Sequence, residues 1–314
     1  MCGIGGIYLP AHDAFTKDRK LPISQVSNLW EEMSDRGNHA CGFAIKWTNS
    51  ENVVVVKQPG SSLEMSGQIE QYGSSDFVQY VMLHTRYATQ GSTAKNYNNH
   101  PVVGYDMVVT HNGVLSNDRQ ILKTLKRKPM YDVDTEAINA SLRLRSPKYT
   151  IEQVKGSMSI SWVDVREPDV VHLMTNGQNP LVIARLHSGA IVWASMEYMI
   201  EEAGFDVKSS FIALPFKEYQ LLPDGRIISR YVSRRRAEPD IGFRYVWNEA
   251  SQSVSTEPAV PKSPKTKKKP QNGSRRSLKG KKNREAILEF EEEEYEGWRY
   301  SSETGWYYAG EGSQ

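Results

Sequence analysis

Cys2 stands directly behind the initiator methionine, in the opening Met1-Cys2-Gly3-Ile4-Gly5-Gly6. Removal of Met1 would leave a thiol and a free α-amine on one residue. A thiol titrates near about 8.5 and an α-amine near about 7.7–8.0, so the amine can take the thiol proton close to neutral pH without a histidine. An upstream extension would mask that amine. Taken alone, a cysteine here more often opens a buried strand, so the weight falls on what lies further along the chain.

A cysteine attacking a carboxamide creates an oxyanion, which needs donors already in place. His111-Asn112-Gly113-Val114 offers two, the Asn112 side-chain amide and the Gly113 backbone N–H. Without that context Asn-Gly reads as a hairpin turn. An amino-acid substrate also presents an α-carboxylate and an α-ammonium. Arg86, in His84-Thr85-Arg86-Tyr87-Ala88-Thr89-Gln90-Gly91, supplies a planar fork for the first. Asp134, in Asp134-Thr135-Glu136, supplies a charge for the second, although its spacing suits a helix N-cap equally well.

These segments, with Arg36-Gly37-Asn38-His39-Ala40-Cys41-Gly42 and Asn98-Asn99-His100-Pro101, occur in an order that resembles the glutaminase domain of class II (N-terminal cysteine) glutamine amidotransferases. That family includes glucosamine-6-phosphate synthase and the phosphoribosyl pyrophosphate amidotransferase of purine synthesis. The resemblance covers residues 2–232. It implies an α+β, N-terminal nucleophile hydrolase fold, a four-layer α/β/β/α sandwich with two antiparallel sheets. It implies hydrolysis of L-glutamine to glutamate and ammonia through a Cys2 thioester, with Asn112 and Gly113 at the oxyanion. Arg86, Tyr87, Thr89 and Asp134 would bind substrate, with Arg36 in support. Two positions depart from the family: His39 replaces an aspartate and Gln90 a histidine. Tyr87 looks like the purine enzyme. No cofactor is implied. Cys41 and His39 fall short of a tetrahedral metal set, so Cys41 is expected to be structural. The safer expectation for His84 and His111 is also structural.

The elements that must position these residues follow from apolar patterning. Strands are expected over 4–9, 42–47, 53–56, 78–84, 107–111, 157–163, 170–174, 181–185, 190–194, 216–222 and 226–232. Helices are expected over 23–33, with Ser24 as N-cap, and over 117–125, 134–144 and 195–203. Strand often follows strand directly, which favours antiparallel sheets with helices outside.

From Lys262 onward the chain has 12 Lys/Arg against 9 Asp/Glu, and the remainder 27 against 28, so the basic balance belongs to the tail. Residues 233–250 read as a domain edge or linker. Residues 251–314 read as a charged, low-complexity tail, expected to be disordered, with a Gly-Trp-Arg-Tyr and Gly-Trp-Tyr-Tyr echo near its end. Its basic runs and aromatics could hold nucleic acid, but the adjacent glutamates make a solvated charge-mixed tail the favoured reading. About 80 residues of this composition do not suit a packed synthetase domain, so the ammonia acceptor is expected to be a separate synthase chain. A stand-alone amidohydrolase is the alternative. There is no long apolar run and no signal-peptide pattern, and a nucleophilic thiol must stay reduced, so the expected setting is the cytoplasm, with no membrane contact.

Overall fold

The structure, a computed structural model, describes residues 2–10 and 20–233, and further along the chain the backbone of four short strands. The first strands are β1 (Gly3–Tyr8), β2 (Ala40–Trp47), β3 (Val53–Pro59), β4 (Val78–Arg86), β5 (Val102–Gly104) and β6 (Met107–Leu115). They are followed by β7 (Gly156–Asp164), β8 (Val171–Thr175), β9 (Val182–Leu186), β10 (Ile191–Ala194), β11 (Val207–Ile212), β12 (Lys217–Leu221) and β13 (Ile227–Tyr231). The helices are α1 (Ile23–Ser34), α2 (Ser66–Gly73), α3 (Asp118–Thr124), α4 (Thr135–Leu144), α5 (Pro147–Gln153) and α6 (Glu197–Glu202).

One sheet runs β11-β9-β10-β1-β4-β2-β3, the other β13-β12-β8-β7-β6-β5, and their pairings are antiparallel. Alternation along each strand sends one set of side chains to each face. Ile4, Tyr8, Tyr80, Met82, Val108, Leu173 and Trp193 fill the space between the sheets. Ile7, Val81 and Leu83 face outward to Val26, Leu29, Trp30 and Met33 of α1, while Met107 and Val109 face Ala137, Ile138 and Ala140 of α4. Helix layers therefore cover both outer faces. The α/β/β/α sandwich is the expected one.

One local expectation needs correction, and two alternative readings are decided by the backbone. The residue that caps α1 is Pro22, without a side-chain hydrogen bond, and Ser24 lies inside the helix. Asn112-Gly113 does not turn: β6 continues to Leu115, and Asn112 and Gly113 pair with Ser159 and Met158 of β7. Asp134 occupies the N-cap position of α4 but makes no capping hydrogen bond there. The two stretches with no expected element that matter most for shape are α2 and the edge strand β11.

Expected disorder in the tail falls mainly outside the described residues. The described pieces are β14 (Phe243–Asn248) and β15 (Ser253–Pro258), which form a hairpin, and β16 (Trp298–Ser301) and β17 (Gly305–Tyr308), which form another. The backbone of β17 pairs with β3, Trp306 opposite Val55, and so extends the larger sheet. The aromatic echo is this second hairpin.

Candidate active site

Cys2 ends the chain segment that enters β1, a central strand of the larger sheet. Arg36, just beyond α1, donates from Nε to the Cys2 carbonyl at 2.9 Å and holds the backbone of the nucleophile. The Cys2 thiol points at the Tyr87 carbonyl, 3.6 Å away. Burial pushes this thiol up from its ordinary value, Arg86 draws it down, and Asp134 pushes it up again. The three groups thus lie within each other's electrostatic reach.

Arg86 is the last residue of β4 and shares the inner-face parity of Tyr80 and Met82. Its guanidinium is buried, which lowers its basicity. One terminal nitrogen donates to Asn99 Oδ1 at 2.7 Å, and the other donates to the carbonyls of Gln90 and Gly91, the latter at 2.9 Å. Three of the five N–H groups are therefore occupied, leaving two for a ligand. Asn99 is itself held by Thr93 and Asn96, and Lys57 donates to the Asn99 and Pro101 carbonyls at 2.8 and 2.9 Å. Burial and the neighbouring Arg86 bring Lys57 down to about 7.

The strand β6 presents its backbone to the site at alternate residues. On β7, the Met158 amide donates to Asn176 and its carbonyl accepts from Asn176, so both face β8. In an antiparallel ladder the opposed Gly113 then directs its own N–H away from β7. Its neighbours of like parity confirm the direction: the His111 carbonyl accepts from His84 Nε2 at 3.0 Å, and the Leu115 N–H donates to Asp134 Oδ2 at 2.7 Å. Only glycine fits at 113, where a Cβ would lie 2.0 Å from the Ser157 carbonyl oxygen and φ is +157°. The Asn112 side chain is buried, with Nδ2 3.4 Å from Ser195 Oγ, and the Asn112 backbone carbonyl accepts from Asn179 Nδ2 at 2.9 Å.

Asp134 is 6 % exposed. Burial pushes its carboxyl up, but His111 and the Leu115 and Thr135 amides outweigh that and hold it below the usual carboxylate range. It is an anion at neutral pH, within reach of the thiol. Tyr87 stays exposed beside the site, its ring 4.7 Å from that of His39, and Thr89 lies exposed two residues further out. His39 Nδ1 accepts from the Ala88 N–H at 3.0 Å, so its proton sits on Nε2 and the ring takes up the donor that a carboxylate could have taken.

Behind the site His84 and His100 stack at 4.2 Å, and Thr135 Oγ1 joins His100 to His111. Burial lowers His84 to about 3, and His100 is also lowered well below its ordinary range. His84 Nδ1 and His100 Nδ1 have no hydrogen-bond partner among the described residues, so each of these two rings is only half satisfied. Cys41 is a core residue with its sulfur 3.2 Å from Met65 Sδ, and burial pushes its thiol up to about 12. No cluster of three metal-ligating side chains occurs among the described residues.

No family model matches the chain. A solved glutamine phosphoribosylpyrophosphate amidotransferase from B. subtilis covers 74 % of the chain and half of its own, with a TM-score of 0.57 at 19 % identity. The chain has the fold of a class II glutamine amidotransferase domain. Among curated proteins, the chain is 27 % identical over 196 residues to the glutamine–fructose-6-phosphate aminotransferase of Francisella tularensis, covering 58 % of the chain and 30 % of the relative. It is 25 % identical over 217 residues to the 7-cyano-7-deazaguanine synthase of Saccharolobus solfataricus, covering 66 % and 45 %. The chain thus spans 30 % and 45 % of the length of these two curated relatives.

The fold brings Cys2, Arg36, Arg86, Tyr87, Asn112, Gly113 and Asp134 to one end of the sandwich, with Thr89 exposed beside Tyr87. Sequence reasoning missed Asn99, Lys57, Asn179 and Ser195. Of these, only Asn99 lay in a stretch with a signal, the Asn-Asn-His-Pro motif.

Proposed function

We propose that this chain hydrolyses L-glutamine to glutamate and ammonia, with residues 2–232 as the glutaminase unit. The observation that carries the reading is the convergence of a thiol, a guanidinium with two spare N–H groups, a buried carboxylate and an outward-facing glycine N–H at one end of the sandwich. Arg86 takes the α-carboxylate and Asp134 the α-ammonium, and Tyr87 and Thr89 line the entrance. Because burial raises the thiol, Cys2 needs a base. The α-amine exposed by loss of Met1 serves, directly or through water. The sulfur attacks the side-chain carbonyl carbon, and the oxyanion is met by Asn112 Nδ2 and Gly113 N–H. Ammonia leaves with the proton taken from the thiol, and water resolves the γ-glutamyl thioester to glutamate.

The ammonia goes to an acceptor synthase, which residues 251–314 do not themselves supply. In support, the relatives named above include an aminotransferase and an amidotransferase that use glutamine, and residues 251–314 carry too few large apolar groups for a packed synthetase core. A reducing compartment, the cytoplasm, suits two free cysteines. No helix among the described residues is long and apolar enough to cross a membrane.

The test is glutamate release by tag-free protein whose intact mass shows loss of Met1. Cys2→Ala should lower turnover by about 10⁴-fold or more. Appreciable turnover by that variant sinks the proposal, as does full activity with an uncleaved tag ahead of Cys2. Co-purification of a synthase whose product formation depends on Cys2 supports the acceptor assignment, and full activity on a different amide without any partner overturns it.

A further inference from the structure

Ser195 lies between β10 and α6, fully buried, and joins the two halves of the site. Its hydroxyl accepts from the Ile4 N–H at 3.0 Å and donates to the Ile4 carbonyl at 3.3 Å, while its own N–H donates to the same carbonyl at 2.9 Å. Ile4 is two residues from the nucleophile. The same hydroxyl oxygen lies 3.4 Å from Asn112 Nδ2. A serine hydroxyl has one proton. With that proton committed to Ile4, the oxygen can only accept from Asn112, so the asparagine must present nitrogen rather than oxygen.

The other end of the amide shows what this orientation costs. Asn112 Oδ1 is buried without a hydrogen-bond partner among the described residues. A buried acceptor left unpaired is unfavourable, so the amide would not hold this orientation unless a neighbour imposed it. One N–H of the amide goes to Ser195, and the second is left for the substrate oxygen.

We propose that Ser195 is a positioning residue that fixes the Asn112 amide N–H toward the oxyanion and ties it to the backbone of the nucleophile strand. This rests on the glutaminase reading above. A long contact in the free protein is the kind that shortens once negative charge develops on the bound oxygen, so the effect belongs to kcat rather than KM.

The experiment compares wild type, Ser195→Ala and Ser195→Thr in steady-state glutamine hydrolysis and in alkylation of Cys2 by iodoacetamide, a displacement that forms no oxyanion. Ser195→Ala should lose about tenfold to a hundredfold in kcat, less than the loss of an oxyanion donor itself. Its KM and alkylation rate should stay within about twofold of wild type, and Ser195→Thr should regain part of the loss. The proposal is overturned if Ser195→Ala keeps its kcat, or if alkylation slows as much as turnover, which marks a displaced nucleophile strand instead. If the threonine variant does not fold, the alanine pair of readouts decides alone. If wild type does not turn over glutamine, the glutaminase reading fails separately. The Asn112 side-chain N–H resonances, assigned by their loss in Asn112→Asp, then decide: displacement in Ser195→Ala supports the inference, and unchanged signals refute it.

Discussion

A buried thiol is a weak nucleophile until a base takes its proton. Around Cys2 the side chains divide into those that act on charge and those that hold position. Asp134 is the clearest of the first kind, since its carboxylate stays ionised despite burial and yet makes no capping hydrogen bond from its place at the start of α4. Asp134→Asn should therefore raise KM for glutamine about tenfold to a hundredfold, the worth of a charge-assisted hydrogen bond. The same variant should discriminate far less between glutamine and glutaramate, which lacks the α-amine. Equal discrimination by both proteins would remove Asp134 from the ammonium site. His39 belongs to the second kind. His39→Asp keeps an acceptor for the Ala88 N–H and should stay within about threefold of wild-type KM, whereas His39→Leu leaves that donor without its partner and should raise KM more. If both variants behave alike in glutamine kinetics, the Ala88 contact is not what His39 contributes.

At the scale of elements, β6 carries most of the site because a strand offers backbone groups as well as side chains. His111, Gly113 and Leu115 turn their peptide groups toward β4 and α4, while Asn112 sends its side chain into the space between the sheets. Close packing of β7 against Gly113 keeps that register. Gly113→Ala would drive a Cβ to within 2.0 Å of the Ser157 carbonyl and should cost about 2–4 kcal/mol in urea denaturation, from overpacking and backbone strain together. Gly67→Ala, in α2 with nothing within 4 Å, should be neutral or stabilising by up to about 1 kcal/mol. A Gly113→Ala midpoint equal to wild type would show that the strand can yield. Strand β6 also shows where the sequence was legible and where it was not. An apolar stretch rich in β-branched residues announced the strand up to His111, and Asn-Gly taken alone gave the local signal of a turn. The long-range pairing with β7 overrode that signal. Ser195 gave no signal, since its partners lie 191 and 83 residues away. The motifs around Cys2, Arg86 and Asp134 were legible because the chemistry needs those residue types. Their supports, Asn179 and Lys57, were not, because any hydrogen-bonding residue reads alike before the fold assembles it.

For the whole molecule, the two sheets meet behind the site through stacked imidazoles. His84 comes from β4 of the larger sheet and bonds the carbonyl of His111 on β6 of the smaller, while His100 lies over His84 and bonds Thr135 of α4. Burial is the main cause that keeps both neutral, and Arg86 and Lys57 add to it. The consequence for stability has a definite sign. In the unfolded chain these rings bind a proton near pH 6.5, whereas folded His84 does so only near about 3. Between those limits the unfolded state binds more protons, so stability rises with pH across the window and is lost on acidification from about 6.5 toward 3. Most of that loss should come above pH 4.5, where carboxylates held low, such as Asp134 and Glu218, remain ionised in the folded state. Urea midpoints measured from pH 7 to pH 4.5 should therefore fall steadily in wild type. His84→Asn, which cannot take up a proton, should start lower at pH 7 and follow a shallower slope. Parallel slopes for the two proteins would show that the acid sensitivity arises elsewhere, and that the histidine stack does not couple the two sheets to pH.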